Sequence, residues 1–235
     1  MENRLKLSEL RKKYLAAPRP KKLRFFWELN KAAQDAAVTE EREDAERFDW
    51  DDAGVLTEDF KIQLAERGFA DVEVFWSLGY CQGDGVAFYG SVYPTDLKEK
   101  DPNAKKFIEV LEKAGDCLSI GISGENNHYH HPNSMTVEVE FESESDDEEI
   151  PARLKIARPV LREDFEAYLA EKVKEISREL EKSGYSEIDY HHSEESVRAE
   201  LSEREHLYER NGNRALREFE FYEWMKTQNT VDQTN

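Results

Sequence analysis

The spacing of apolar residues predicts helices at the start of the chain, strands in its middle and helices again at its end. Three- and four-residue spacings, typical of amphipathic helices, occur over residues 4–16, about 21–45, about 56–67 and 103–114. They return over residues 162–182, 194–210 and 213–226, although the EFEF of residues 218–221 could instead form a strand. Gly184 is expected to end the first of these three C-terminal helices, Ser193 to cap the second, and Asn211-Gly212 to end it.

Strands are predicted where apolar residues alternate with polar ones. Residues 71–80 alternate, and Val86, Phe88 and Val92 continue the pattern after a glycine-rich turn. Residues 117–122 and 135–141 add two strands, and 150–159 is expected to be an edge strand, because its prolines bar it from a central position. The order of elements predicts an α+β fold: an antiparallel sheet of about four strands, with N-terminal helices and a helical C-terminal third.

Charge separates the start of the chain from the rest. The chain has 52 Asp and Glu against 33 Lys and Arg, a net charge of −19. Residues 1–24 nevertheless carry nine Lys and Arg against two Glu, which leaves −26 on the remainder. We therefore predict a basic arm over 1–24, an α+β core over 25–160 and a helical region over 161–235. Such a charge repels nucleic acid and attracts basic protein surfaces, although solubility or a high-salt habitat would also account for it.

Several classes of protein are disfavoured by composition. No apolar run approaches the roughly 20 residues of a membrane-spanning helix, and the N-terminus lacks the apolar segment of a secretory signal. Two cysteines without close spacing suit a reducing compartment. No nucleotide-binding glycine motif or metalloprotease motif occurs. We therefore expect a cytoplasmic protein with no membrane contact and no cofactor.

The stretch 76-WSLGYCQGDGVAF-88 contains the clearest local motif. Gln82, Gly83, Asp84 and Gly85 between two alternating runs predict a tight hairpin turn, because such turns need residues that tolerate positive φ. A functional alternative has the turn amides bind an anion, or Asp84 and Gln82 orient a ligand. The aromatic residues around the turn are expected to lie in the core or in cross-strand pairs: Trp76, Tyr80, Phe88 and Tyr89.

The segment 128-HYHH-131 raises the alternative of metal chemistry. In an extended loop His128 and His130 would point the same way and could share a metal, with a carboxylate from Glu125 or Asp84. We favour instead a hydrogen-bonded loop that packs Tyr129 inward, because no Cys pair or firmly spaced third ligand supports a metal site.

Cys81 is a second candidate for chemistry. Nucleophilic catalysis by cysteine needs a nearby base and an electropositive setting. Because the surroundings are acidic, we expect a buried strand cysteine.

Three stretches together resemble a loose family of uncharacterised phage and mobile-element proteins. They are 50-WDDAGVLTEDFKIQLAERGF-69, 76-WSLGYCQGDGVAFYGSV-92 and 128-HYHHPNSM-135. The resemblance covers about residues 30–140 and rests on the Gln-Gly-Asp-Gly hairpin together with the later segment that includes His128, Tyr129 and His131. Some members are labelled as the antitoxin of a toxin–antitoxin stability system, which implies a role against a host toxin or defence system but no established chemistry.

We therefore expect a non-enzymatic binding protein that occupies a basic, nucleic-acid-binding surface of a host protein. The predicted contact patch is the acidic run Glu142, Glu144, Asp146, Asp147, Glu148 and Glu149. Direct binding of nucleic acid is expected only through the basic arm, and the chain could form a homodimer. One alternative is a small metal-dependent hydrolase or nuclease-like enzyme using Asp84, His128 and His130. Another is a structural or assembly protein.

Overall fold

The computed structural model describes residues 24–43, 50–124, 129–143, 150–204 and 206–216. The helices are α1 (Lys31–Arg42), α2 (Trp50–Glu66), α3 (Pro94–Lys100), α4 (Pro102–Lys113), α5 (Ala152–His191) and α6 (Glu194–Glu203). The strands are β1 (Arg24–Phe25), β2 (Val72–Ser77), β3 (Gly85–Val92), β4 (Asp116–Gly124), β5 (Met135–Ser143), β6 (Leu207–Tyr208) and β7 (Arg214–Leu216). Short 3-10 turns occupy Phe26–Glu28 and Pro132–Ser134.

The chain divides into two compact units. One comprises Met1–Phe48 with Asp189–Asn235, and the other comprises Asp49–Ile188. The prediction divided the chain instead at residues 24 and 160, and α5 runs unbroken through residue 160. Among the described residues, no helix is both long enough and apolar enough to cross a membrane.

The larger unit is built on a four-stranded antiparallel sheet in the order β2-β3-β4-β5, which confirms the predicted α+β class. α2 and α5 pack on one face: the Phe60 ring meets Trp76 edge-on at 6.4 Å, and the Ser177 hydroxyl donates to the carbonyl of Val86. Local signals place the boundaries of α4, where the side chain of Asp101 accepts hydrogen bonds from the amides of Asn103 and Ala104.

The smaller unit joins segments from both ends of the chain. Its three strands pair in the order β1-β6-β7, and Asn30 and Ser193 cap α1 and α6 through their side chains. The N-cap predicted at Ser193 is confirmed. The core of this unit consists of Phe26, Leu29, Ala33, Ala37, Val38, Val197, Leu201 and Tyr208.

Three predicted elements of this unit are wrong in extent. The helix predicted from residue 21 begins only at Lys31, because Arg24–Phe25 pairs with β6. The helix predicted over 194–210 ends at Glu203, and Asn211-Gly212 forms the turn between β6 and β7 instead of ending a helix. Residues 214–216 of the predicted last helix are a strand, while its remainder and the predicted helix 4–16 lie outside the described residues.

Residues 152–159 of the predicted edge strand over 150–159 are helical and form the start of α5. The carbonyl of Pro151 accepts the first helical hydrogen bonds from the amides of Leu154 and Lys155, so this proline lies where its missing N–H costs nothing. Pro159 lies inside α5 on an exposed position, where it removes one helical hydrogen bond without ending the helix. α3 was not predicted, because its single buried leucine gives no periodic signal.

Gly184 was predicted to end a helix, but α5 continues seven residues beyond it to His191. A Cβ at this position would overlap the side chain of Leu78 and lie 2.8 Å from Cζ of Phe60. Glycine is therefore present because α5 approaches its neighbours closely, and not because the chain turns there.

Because of this contact, replacing Gly184 with alanine should change stability in the opposite direction from the same replacement at Gly54, another helical glycine. Gly184→Ala is expected to lower the free energy of unfolding by about 1 kcal/mol, because overpacking outweighs the gain in helix propensity. Gly54→Ala is expected to raise it by about 0.5–1 kcal/mol, since Gly54 lies in α2 with no atom within 4 Å of the added Cβ. Urea unfolding followed by circular dichroism measures both, and equal stabilisation by the two variants would contradict the close approach.

Candidate interaction surface

Asp84 organises the connection between β2 and β3. Its carboxylate accepts hydrogen bonds from the Ser77 hydroxyl (2.7 Å), the Gly79 amide (2.7 Å), the Cys81 amide (2.6 Å) and the Tyr185 hydroxyl (3.2 Å). Desolvation, the largest single influence, raises the pKa of Asp84, but these hydrogen bonds together outweigh it and the pKa lies below its usual value. A carboxylate with four protein donors has a structural role in this loop.

The hairpin differs from the predicted tight turn. β2 ends at Ser77 and β3 begins at Gly85, so residues 78–84 form a wider loop folded around Asp84. Tyr80 adopts a positive φ of 56°, and its ring lies 4.5 Å from that of Tyr185. The predicted alternation stops at Ser77 because the amides beyond it bond to the Asp84 carboxylate and not to a partner strand.

The predicted hairpin and histidine motifs meet in space. Gly83 has a φ of +96°, and a Cβ there would overlap the ring of Tyr129. Gly85 has a φ of +149°, and a Cβ there would overlap the carbonyl oxygen of His130. The two glycines therefore serve a close approach as well as a turn, which the sequence pattern alone did not indicate.

A shallow depression lies where these motifs meet. Its volume is about 510 Å³, and it is lined by Gln82, Gly83, Tyr129, His131, Pro132 and Asn133. Tyr129 is 49% exposed, so the prediction that it packs inward is wrong. Its ring covers Gly83, while one edge remains at the surface.

The two described histidines of this segment, His130 and His131, contact neighbouring groups of the protein. Nδ1 of His131 accepts a hydrogen bond from the Asn133 amide at 3.1 Å and so caps the turn at 132–134. The His130 ring stacks on Phe75 at 6.0 Å, and its buried Nδ1 has no hydrogen-bond partner among the residues that the structure describes. Desolvation lowers the pKa of His130, so this side chain is neutral at neutral pH.

The structure describes only some of the ligands proposed for the alternative metal site. Glu125 and His128 lie outside the described residues. Within the described ranges, no group of three or more His, Cys, Asp or Glu side chains is arranged to hold a metal ion.

Cys81 is exposed in the loop and not buried in a strand, which corrects the prediction. Its thiol donates to the carbonyl of Gly79 at 3.4 Å.

The aromatic residues of the hairpin divide between the two faces of the sheet. Phe88 is fully buried, and Trp76 faces the helices and donates to the hydroxyl of Thr57. Tyr80 is 67% exposed, so the expectation of a core position is wrong for it. Phe75, which the sequence did not single out, lies on the opposite face with its ring 5.5 Å from Tyr89.

That opposite face is open across β4 and β5. Described helices cover the other face, and residues 129–134 cover only the β3 end, where Ala87 is fully buried. On β4 the outward residues are small: Cys117, Ser119, Gly121 and Ser123. The sheet therefore presents a flat surface with no described segment over β4 or β5.

Three glutamates form a row on this open face, which we call the acidic row: Glu138, Glu140 and Glu142. All three glutamates are exposed. In β4, their directly paired residues are Gly121, Ser119 and Cys117, respectively. Glu138 accepts a hydrogen bond from the Ser123 hydroxyl at 3.2 Å, and none of the three forms an ion pair with a described residue. Successive members are about 7 Å apart, the two-residue repeat of a strand.

The acidic row changes the predicted contact patch. Glu142 belongs to the sheet and not to a loop, while Glu144, Asp146, Asp147, Glu148 and Glu149 lie outside the described residues. The sequence prediction did not include Glu138 and Glu140, which share the exposed face with Glu142. The alternation of glutamate with valine and phenylalanine in 135-MTVEVEFE-142 is the signal that could have identified them.

Comparison with known proteins identifies a protein family. Residues 47–197 match the model of a family described as a domain of unknown function, DUF8835. This range contains the hairpin, the open sheet face and the acidic row. No curated protein and no solved structure matches the chain. The chain belongs to the DUF8835 family.

Proposed function

We propose that this chain is a non-enzymatic acidic binding protein that occupies a basic surface of a partner protein. The observation that supports the proposal is the acidic row, three exposed carboxylates at regular spacing on a sheet face that no described segment covers. Positive side chains on a partner would meet these carboxylates without displacing an ion pair to any residue that the structure describes. Charge of this kind increases the association rate and excludes partners of like charge.

The class of partner follows from charge and from the resemblance described above. An acidic surface competes most effectively for protein sites that bind phosphates, since such sites are built from Lys and Arg. The partner we propose is a nucleic-acid-binding toxin or immune effector of a host, which the chain inhibits as a phage-type antitoxin would. The proposed place of action is the cytoplasm of that host cell.

The proposal can be tested by charge reversal in the full chain. A triple variant, Glu138→Lys with Glu140→Lys and Glu142→Lys, is compared with the native chain in affinity purification from the native host. The control variant carries Glu66→Lys, Glu163→Lys and Glu203→Lys, which make the same change in net charge at three exposed positions outside the acidic row. Quantitative mass spectrometry then identifies proteins retained by the native and control chains and lost by the row variant.

The expected result is a retained protein whose own surface is basic. Its affinity, measured with the purified pair, should fall at least about tenfold in the row variant, equivalent to about 1.4 kcal/mol. It should also weaken as salt rises from about 0.05 M to about 0.5 M, because salt screens exposed charges. Equal affinity of the row and control variants, or affinity independent of salt, would refute the proposed mode of binding.

A further inference from the structure

β5 lies at an edge of the sheet formed by the described strands. It pairs with β4 along all nine of its residues, and no described strand lies on its other side. In an antiparallel strand, alternate residues direct both their N–H and their C=O groups toward the same side. About half of the residues of β5 therefore present backbone donors and acceptors away from β4, which is a template for a further strand.

The acidic row determines which strand can pair there. Two copies of this chain paired antiparallel through β5 would place their glutamate rows side by side on the same face of the sheet. Like charges directly opposite each other destabilise a pair of strands. A neutral strand would meet the carboxylates without compensating them. In a strand with Lys or Arg at alternate positions, the Cβ atom of each basic residue would lie about 5 Å from the Cβ atom of a glutamate. Its positive charge could then pair with that carboxylate.

The other face of β5 adds a second requirement. Val137, Val139 and Phe141 alternate with the glutamates, and each is only partly buried at this edge. Arg162 covers Phe141 from the helical side, with its guanidinium 4.8 Å from the ring centre. Apolar residues at the intervening positions of an added strand would extend this half-buried face.

We propose that β5 accepts an extended segment of the partner as a fifth strand, with basic residues opposite the acidic row and apolar residues between them. The proposal rests on the proposed function and specifies its geometry. Backbone hydrogen bonds supply affinity, and alternate side chains supply specificity, as in other cases of strand addition. The binding surface is therefore the edge of the sheet together with its acidic face.

The test uses the full chain and a short synthetic peptide in which lysine and valine alternate. The expected results are binding measured by calorimetry and slower hydrogen exchange of the β5 amides in the complex. A peptide of the same composition with its lysines contiguous should bind at least about tenfold more weakly. The same loss is expected for the alternating peptide when it is N-methylated on the amides that would face β5, because methylation removes the hydrogen-bond donors and keeps the charge.

Matched variants link this binding to the acidic row. Glu140→Lys should weaken binding of the alternating peptide at least about tenfold, whereas Glu163→Lys on α5 should leave it unchanged. Equal binding of the methylated peptide would overturn strand addition and leave acidic binding intact. Protection of β2 amides and not of β5 amides would also overturn it. An affinity for the alternating peptide that changes neither with salt concentration nor with Glu140→Lys would count against the proposed function itself.

Discussion

Asp116→Ala is expected to lower the free energy of unfolding by about 3–5 kcal/mol, the range found when one partner of a buried ion pair is removed. The Asp116 side chain is completely buried at the start of β4. Its two oxygens accept hydrogen bonds from Nε (3.1 Å) and Nη2 (2.5 Å) of Arg162 on α5. The substitution leaves this partly buried guanidinium without its carboxylate and opens a gap beside it.

Asp116 supports the proposed binding edge indirectly. Arg162 is held by Asp116 and lies over the ring of Phe141 in β5. Nη1 of Arg158 lies 3.9 Å from Asp116 and donates to the carbonyl of Ala114. The carboxylate therefore connects α5 to the two strands that carry the open face.

Urea unfolding followed by far-UV circular dichroism measures the loss. Glu112→Ala is the control, because it breaks only the partly exposed pair with Lys98 at 2.9 Å and should cost less than about 1 kcal/mol. Adding Arg162→Met to Asp116→Ala should recover part of the stability, since the uncompensated charge is then also removed. A loss no larger than that of Glu112→Ala would contradict the importance of this buried pair.

Asp84→Ala is expected to lower the free energy of unfolding by about 2–3 kcal/mol. The substitution removes a charged acceptor of four hydrogen bonds from the loop over 78–84, and hydrogen bonds to charged groups contribute about 1.5–3 kcal/mol. The loss is kept below the sum of the four because water can reach the amides of this exposed loop. Asp71→Ala is the control, because Asp71 accepts one exposed hydrogen bond, from the Tyr93 hydroxyl.

The stability that the Asp84 carboxylate contributes should depend on pH in the acid range. The pKa of Asp84 is lower in the folded chain than its usual value of 3.8, so the unfolded chain binds the proton first as pH falls. The stabilisation is therefore present above about pH 4 and is lost as pH falls through the lower folded pKa. The difference in stability between the native chain and Asp84→Ala should shrink over this range. A difference that is constant down to pH 2 would contradict the structural role of Asp84.

Several elements followed from local sequence because their signals are local. Asp101 caps α4 and Ser193 caps α6 through bonds to amides two or three residues away. The two-residue alternation over 135–141 depends only on which side chains must leave water. Alternation of this kind over 71–80, 86–92, 117–122 and 135–141 predicted four strands, and the order of elements predicted the α+β class.

Other features were missed because they depend on residues far apart in the chain. Arg24–Phe25 is a strand only because Leu207–Tyr208 lies beside it. Gly184 matches a helix stop in sequence, yet the neighbours that require glycine there are Phe60 and Leu78. Propensity is a weak prior, and tertiary contacts overrode it at both positions.

For the candidate surface the same division applies. The sequence by itself determined the acidic charge, the alternation of glutamate with apolar residues in β5 and the presence of the hairpin motif, since these depend on composition and short-range periodicity. Only the tertiary structure decided that Gly83 and Gly85 lie against Tyr129 and His130, and that the acidic row is on the edge strand of the described sheet. Strand order and the side on which helices pack arise from long-range burial, which no local pattern encodes.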